Sequence, residues 1–212
     1  MGRPIVYGPA GSTYVWSVRL ALAEKGVAHE LVELDSFTAH REEPHLSRHP
    51  FAKVPAFEHD GFMLYETQAI LRYTDEGFMT SPLQPTDLHQ FSRMNQIIGI
   101  VDAYAHPSIA MGILFNRMLA PRLGLPVDEA AVEAALPRAR LCVSEIARLM
   151  GNEPYLAGER ISLADLMVIP LFYYFSRLPE GEAPFADNSS LLPWMRRMEE
   201  RQSFQVTKPP GV

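Results

Sequence analysis

The stretch His49–Ile70, "HPFAKVPAFEHDGFMLYETQAI", carries the most specific pattern in the first third of the chain. Within it, "KVPAFEHDGFMLYE" reads as two strands joined by a turn at "HDG". The segment that follows, "TQAILRYTDEGF", has the apolar spacing of a short helix. The stretch therefore predicts a β-β-α unit.

The two ends of this unit carry groups suited to holding a small peptide. Val54 precedes a proline and is pushed towards an extended conformation, and a cis bond at Pro55 would turn the backbone N–H and C=O of Val54 outward. Glu66 and Thr67, at the helix start, offer a carboxylate, a hydroxyl and free backbone N–H groups. These groups suit a ligand that carries both an ammonium and a carboxylate. Simpler interpretations stay open, with Pro55 as an edge-strand proline and Thr67 as an N-cap.

A strand, a helix and a second strand precede this unit. "PIVYG" predicts a short buried strand, and Val15, Val18 and Leu22 have helical spacing before a stop at Gly26. "AHELVELD" alternates like another strand. The order β-α-β, a variable stretch and then β-β-α predicts an α/β unit with a mixed sheet.

The junction "GPAGST" lies between the first strand and the first helix. It lacks the lysine of a phosphate-binding P-loop, and neither the dinucleotide pattern Gly-x-Gly-x-x-Gly nor the nucleophile pattern Gly-x-Ser-x-Gly is present. From these residues alone, Ser12 or Thr13 is best interpreted as the N-cap of the helix.

A break at "TSPLQPTD" separates this unit from a second part that is almost wholly helical. There "LHQFSRMNQIIGIVDAYA" is periodic until Pro107, which we expect to end or kink the helix. Another helix ends at Gly151, and "SLADLMVIPLFYYFSR" is apolar nearly all round, as expected at the centre of a domain. The helix that ends at Gly151 carries on one face Val132, Leu136, Val143, Ile146 and Leu149.

Composition narrows the function classes. With 212 residues, 47% of them hydrophobic, the chain can bury one large core or two modest ones. The formal net charge of −6 speaks against a sequence-tolerant nucleic-acid surface. The single cysteine, Cys142, excludes a disulfide framework within the chain, and we expect it in the core. No secretory signal is visible and "LADLMVIPLFYYF" is too short to span a bilayer, so we expect a cytoplasmic protein without nucleic-acid or membrane partners.

His45 and His49 are one helical turn apart and suggest a metal site at first sight. Pro44 disfavours a regular helix there, and no glutamate lies between the two histidines as a zincin site requires. We therefore expect no metal and interpret the stretch as surface polarity or a basic binding edge.

These motifs resemble those of the cytosolic glutathione transferases, and the first domain is similar to the serine-type phi class. Ser12 falls on the serine that the family uses to contact the glutathione thiol. The stretch "AHREEPHLSRHPFAKVPAF" matches the family's segment that leads to a cis-proline. Glu66 and Thr67 fall on the family's Glu-Ser pair. "YLAGERISLADLMVIP" resembles a buried capping box, in which Ser162 and Asp165 cap each other, and "LPWMRRMEERQSFQ" is similar to the closing helix.

The resemblance implies a fold and an activity. The expected fold is a thioredoxin-like domain (βαβαββα, mixed sheet) over residues 1–79, a linker over 80–87 and an all-helical bundle over 88–212. The implied activity is conjugation of the glutathione thiolate to apolar electrophiles by a detoxifying homodimer, with peroxide reduction as a variant. Glutathione would be a co-substrate, and no cofactor would be bound permanently. Two alternatives are a non-catalytic ligand- or partner-binding protein on the same fold and a dedicated glutathione-dependent dehalogenase or isomerase.

Roles follow by resemblance for individual residues. Ser12 would donate a hydrogen bond to the thiolate, Glu66 would meet the γ-glutamyl ammonium, and Thr67 would bind the γ-glutamyl carboxylate. Val54, followed by cis-Pro55, would pair with the cysteinyl backbone. The residues expected at the glycyl carboxylate are His40, Arg41 and Lys53.

Three further expectations concern the pocket for the second substrate, the dimer contact and an alternative residue at the glutathione thiol. The electrophile pocket would lie between the domains, and the sequence does not identify the electrophile. Phe51 would insert into the partner subunit, with packing within its own domain as the alternative. Tyr7 lies close to the position at which other classes use a tyrosine on the thiol, so the choice between Ser12 and Tyr7 stays open. The residues expected to line the pocket are Tyr104, Ile109, Met111 and Phe115.

Overall fold

The computed structural model describes residues 2–34 and 41–211. The chain forms two compact units, Met1–Gln84 with Glu199–Val212, and Pro85–Met198. The division after Gln84 falls inside the predicted linker, residues 80–87. The units differ from the expected domains at the C-terminal end, because residues 199–212 belong to the first unit.

A four-stranded mixed sheet forms the centre of the first unit. β1 pairs parallel with β2 and antiparallel with β3, and β3 pairs antiparallel with β4. Two residues, Asp60 and Gly61, connect β3 to β4 with φ angles of 50° and 79°. Two positive φ angles are typical of a tight hairpin turn, so the turn predicted at "HDG" is confirmed. In the sheet order β2-β1-β3-β4, the strands are β1 (Ile5–Tyr7), β2 (Glu30–Val32), β3 (Ala56–His59) and β4 (Phe62–Tyr65).

Within the described part of residues 1–84, three helices complete the expected βαβαββα order: α1 (Thr13–Glu24), α2 (His45–Arg48) and α3 (Thr67–Gly77). α1 and α3 pack around a core on one face of the sheet. Because strand side chains alternate between faces, Tyr7 and Glu58 point to the other face. The residues at the centre of the core are Val6, Val15, Val18, Leu22, Phe57 and Ile70.

The second unit is helical. Helix α4 (Leu88–Ile100) runs directly into α5 (Val101–Leu119), so Pro107 does not end the helix. α5 has π-helical turns, which are wider than α-helical turns and leave room for the proline ring. A single 3₁₀ turn, Pro121–Leu123, follows it. The helices are α4 (Leu88–Ile100), α5 (Val101–Leu119), α6 (Glu129–Met150), α7 (Leu163–Phe175), α8 (Pro179–Asp187) and α9 (Leu191–Glu199).

The continuous helix Leu88–Leu119 has 32 residues and a mean hydropathy of 1.5 in its most apolar window, of which 44% is buried. By length and composition alone it could cross a membrane. Core helices of globular proteins can have the same length and composition.

Every side chain of α7 is buried, as predicted from its apolar sequence. A buried carboxylate fixes its start: Asp165 accepts from the backbone N–H of Ser162 at 2.8 Å and of Leu156 at 2.9 Å. The indole N–H of Trp194 donates to the same carboxylate at 2.8 Å. The predicted capping box is therefore present, and burial raises the pKa of Asp165.

The C-terminal helix α10 (Gln202–Thr207) explains why the last residues belong to the first unit. The indole N–H of Trp16 in α1 donates to Thr207 Oγ1 at 3.0 Å, and both residues are buried. The Arg201 guanidinium pairs with the Glu24 carboxylate at 2.6 Å. The sequence predicted this closing helix but not the contacts that tie it to α1.

Candidate active site

Ser12 lies at the start of α1 as its N-cap, with the extended backbone that this position requires (φ −68°, ψ 129°). Its Oγ accepts the backbone N–H of Val15 at 3.5 Å, at the long limit of a hydrogen bond. A hydroxyl that accepts through oxygen keeps its own hydrogen to donate. The cap interpretation of Ser12 and a role as donor to an incoming anion are therefore compatible.

The loop before Ser12 lies directly against the Val-Pro step. Gly8 has φ +148°, and a Cβ on Gly8 would fall 3.0 Å from Val54 Cβ and 2.6 Å from Val15 Cγ2. Only glycine allows this approach. The carboxylate of Glu33 accepts the Ala10 N–H at 3.0 Å and so fixes the same loop. The first strand–helix junction and the stretch that carries Val54 therefore form one continuous surface.

The Val54–Pro55 peptide bond is cis. Val54 is half-buried and directly precedes β3 through a buried Pro55. Within the described ranges, no residue pairs with the backbone N–H or C=O of Val54. These two groups could pair with an extended peptide.

Glu66 and Thr67 begin α3. Glu66 is the N-cap, with φ 71° and ψ 113°, and its exposed side chain makes no capping hydrogen bond. Thr67 is buried at the first helical position, so the interpretation of Thr67 as the N-cap is wrong. A positive φ on a non-glycine residue is unfavourable and often marks a functional position. The turn presents the Glu66 carboxylate beside helix N–H groups that have no partner within the helix.

Two of the three cations expected at the glycyl carboxylate, Arg41 and Lys53, are exposed. The third, His40, lies outside the described residues. The backbone carbonyl of Lys53 is 2.7 Å from Nε2 of buried His45, which ties Lys53 to α2.

His45 and His49 are buried, so their interpretation as surface polarity or a basic edge is wrong. The helical turn α2 forms with Pro44 as its N-cap. A proline is tolerated at a helix start, because the N–H that it lacks would have no partner within the helix. His49 stacks on Tyr65 with ring centroids 4.8 Å apart, and desolvation lowers its pKa. Among residues 2–34 and 41–211, no group of three or more potential ligands could hold a metal ion.

Tyr7 is buried, and its hydroxyl donates to Glu58 Oε2 at 2.8 Å. Burial, with this hydrogen bond to a carboxylate, raises the pKa of Tyr7. The guanidinium of Arg48 lies over the ring, 4.3 Å from its centroid. A hydroxyl that is committed to an internal carboxylate is a poor donor for a ligand thiol, so the geometry favours Ser12 over Tyr7.

The other predicted residues differ in exposure. On α5, Tyr104 and Met111 are 49% and 53% exposed, Phe115 is half-buried, and Ile109 is fully buried, so Ile109 cannot line a pocket. Phe51 is 67% exposed beside the ring of Tyr65.

Cys142 lies in the core of the second unit, as predicted, and burial raises the pKa of its thiol.

Sequence reasoning missed Arg48, Glu58 and Glu33. Each contacts a residue distant in the chain, so no motif or spacing could have indicated it. The only available signal was the strand alternation that places Glu58 on the same face as Tyr7.

Comparison with known proteins finds similar sequences over most of the chain. Residues 4–76 match the glutathione S-transferase N-terminal domain, and residues 129–197 match the glutathione S-transferase C-terminal domain. The probable glutathione S-transferase GSTF1 of Oryza sativa subsp. japonica is 29% identical over 94% of this chain and 93% of its own. The probable glutathione S-transferase GSTF2 of the same organism is 33% identical over 74% of each chain.

The fold of this chain is similar to that of a solved structure. Glutathione S-transferase I from Mais, in complex with an atrazine glutathione conjugate, gives a TM-score of 0.84 at 25% identity. The match covers 97% of this chain and 96% of the other. From the two domain matches and the 33% identity to GSTF2, we conclude that the chain belongs to the glutathione S-transferase family, where it is similar to the plant phi class.

Proposed function

We propose that the protein is an enzyme that binds glutathione, stabilises its thiolate with Ser12 and conjugates that thiolate to apolar electrophiles. The observation that carries this proposal is the approach of Val54 to the loop before Ser12, across the space that Gly8 leaves open. A peptide whose cysteinyl backbone pairs with Val54 has its side chain directed towards the start of α1.

Ser12 acts on the thiol as a neutral hydrogen-bond donor. A thiol with a pKa of about 8.5 is only a few per cent thiolate at pH 7. The Ser12 hydroxyl and the positive end of the 12-residue helix α1 both favour the anion. A pKa lowered by about two units, worth roughly 2.7 kcal/mol, would ionise most of the bound thiol.

Ionisation alone gives a small rate gain. Thiolate nucleophilicity falls with pKa, with a Brønsted slope of about 0.4 to 0.5, which cancels much of the benefit. The net gain at pH 7 is therefore a few-fold. Most of the rate comes from holding the thiolate and the electrophile together.

Complementary charge recognises the two ends of glutathione. The exposed Glu66 carboxylate pairs with the γ-glutamyl ammonium, and Thr67 with its backbone N–H binds the γ-glutamyl carboxylate. Arg41 and Lys53, both exposed, bind the glycyl carboxylate together with His40. The site has opposite charge at opposite ends and so fixes the direction of the peptide.

The electrophile is apolar. Tyr104 and Met111 offer exposed apolar surface on α5, and Phe115 lies further along the same helix. Methionine and aromatic side chains suit a site that accepts varied ligands. The same thiolate could reduce peroxides. We further propose a cytoplasmic homodimer with a role in detoxification, in which the exposed Phe51 contacts the partner subunit.

The test compares two thiols in conjugation to an aryl halide. Glutathione and cysteinylglycine share the cysteinyl and glycyl residues, but cysteinylglycine lacks the γ-glutamyl group and has a free ammonium in its place, so rates are compared per thiolate. We expect kcat/KM to be at least tenfold higher with glutathione, and Glu66→Gln to remove most of that preference. Glutathione binding without conjugation would instead support a ligand-binding protein, and equal rates for the two thiols would refute the proposed site.

A further inference from the structure

We propose that Arg48 is a positioning residue for glutathione: its contact with Tyr7 clamps α2 to the sheet and thereby holds Lys53 and Val54 in place. This inference rests on the proposed function. The effect of Arg48 on glutathione passes through α2.

The clamp is a chain of three side chains on the sheet face opposite the α1–α3 core. The half-buried guanidinium of Arg48 lies over the Tyr7 ring, 4.3 Å from the centroid, which is a cation–π distance. The Tyr7 hydroxyl donates to Glu58 Oε2 at 2.8 Å. Tyr7 is in β1 and Glu58 in β3, so the contact fastens α2 to two strands.

α2 needs such a clamp because it has four residues. One helical turn is not stable alone, since nucleation costs more than a single turn returns. Its other side-chain contacts reach β4 and the loop before β3: His49 stacks on Tyr65 at 4.8 Å, and His45 Nε2 lies 2.7 Å from the Lys53 carbonyl oxygen. Arg48 contributes the cationic contact to the centre of the sheet.

The position of α2 is transmitted to the ligand side by His45. Its Nε2 lies 2.7 Å from the carbonyl oxygen of Lys53, the residue before Val54. A shift of α2 therefore moves the Lys53 carbonyl and the adjacent Val54 backbone. The expected consequence is weaker glutathione binding with an unchanged chemical step.

The experiment measures KM for glutathione, kcat, and glutathione affinity by calorimetry for Arg48→Leu, Arg48→Lys, Tyr7→Leu and the double Leu variant. We expect Arg48→Leu to raise KM and Kd roughly five- to tenfold with kcat within about twofold of wild type, as for loss of one partly buried cation–π contact. Arg48→Lys should recover most of the affinity. The double variant should bind glutathione no more weakly than the weaker single variant, because both changes break the same contact between Arg48 and Tyr7.

Arg148→Leu serves as the matched control, because it removes an exposed arginine from α6 that pairs with Glu145. Its KM for glutathione should equal that of wild type. Unchanged KM in Arg48→Leu, additive effects in the double variant, or an equal loss in kcat would overturn the proposal. Absence of glutathione conjugation in the wild type would overturn the proposed function instead. If Arg48→Leu does not fold, Arg48→Lys and Tyr7→Leu decide by the same comparison.

Discussion

Removing one partner of the buried ion pair between Lys25 and Asp75 should strongly destabilise the first unit. The two charged atoms are 3.0 Å apart, and the side chains are 1% and 5% exposed. Asp75 also accepts the backbone N–H of Leu83 at 2.7 Å and of Gln84 at 3.1 Å. The carboxylate therefore holds the segment that leads out of the unit, in addition to neutralising a buried ammonium.

Asp75→Asn keeps the size of the side chain but leaves the Lys25 ammonium buried without a counter-charge. Removing one partner of a buried pair costs about 3–5 kcal/mol, because the remaining charge stays desolvated. The cost is large beside a total stability of about 5–15 kcal/mol. At about 2–4 °C per kcal/mol for a protein of this size, Tm should fall by roughly 6–20 °C.

Urea unfolding by circular dichroism, together with hydrogen exchange of the α1 and α3 peptides, measures the effect on the first unit. The double variant Lys25→Met/Asp75→Asn should lose less than the sum of the two single variants, because no charge stays buried. Arg148→Ala, which breaks an exposed pair, should leave the midpoint unchanged. A loss below about 1 kcal/mol for Asp75→Asn, or additive losses in the double variant, would show that Asp75 is not the essential counter-charge of Lys25.

Three further changes give distinct outcomes. Gly8→Ala should lower glutathione affinity at least tenfold by calorimetry, since its Cβ would meet Val54 at 3.0 Å; unchanged affinity would contradict the account of the loop. Ala52→Gly should raise the free energy of unfolding by about 1 kcal/mol, because Ala52 has φ 51°, and a loss in urea unfolding would contradict this. His49 has a lowered pKa in the folded state, so the unfolded chain binds more protons and stability should fall as pH drops below about 6.5. Thermal unfolding should show a shallower fall for His49→Asn but not for His89→Asn, which changes an exposed histidine; equal slopes in all three proteins would contradict the assignment.

The fold of the first unit could be predicted because its signals are local. The turn at Asp60 and Gly61, the helix stop at Gly26 and the strand alternation around Val6 each depend on neighbouring residues alone. The candidate site was partly predictable for the same reason, because Ser12 and Glu66 lie at the ends of elements that the pattern defines.

The features that the sequence did not reveal depend on tertiary contacts. The burial of His45 and His49 follows from the packing of α2, and no local pattern distinguishes them from surface histidines. The contact of Arg48 with Tyr7 spans 41 positions in the chain, from 48 to 7. A proline inside an α-helix usually ends or kinks it, and that is a local rule. Pro107 does not end its helix, because α5 has wider turns there.

Ser12 should stabilise the thiolate of bound glutathione. The most direct test is the thiolate absorbance of the glutathione complex as a function of pH, in wild type, Ser12→Ala and Tyr7→Phe. We predict a thiol pKa about two units below that of free glutathione in wild type and Tyr7→Phe, and a return towards about 8.5 in Ser12→Ala with binding retained. An unshifted pKa in the wild type complex, or a shift that Ser12→Ala keeps and Tyr7→Phe loses, would contradict the account.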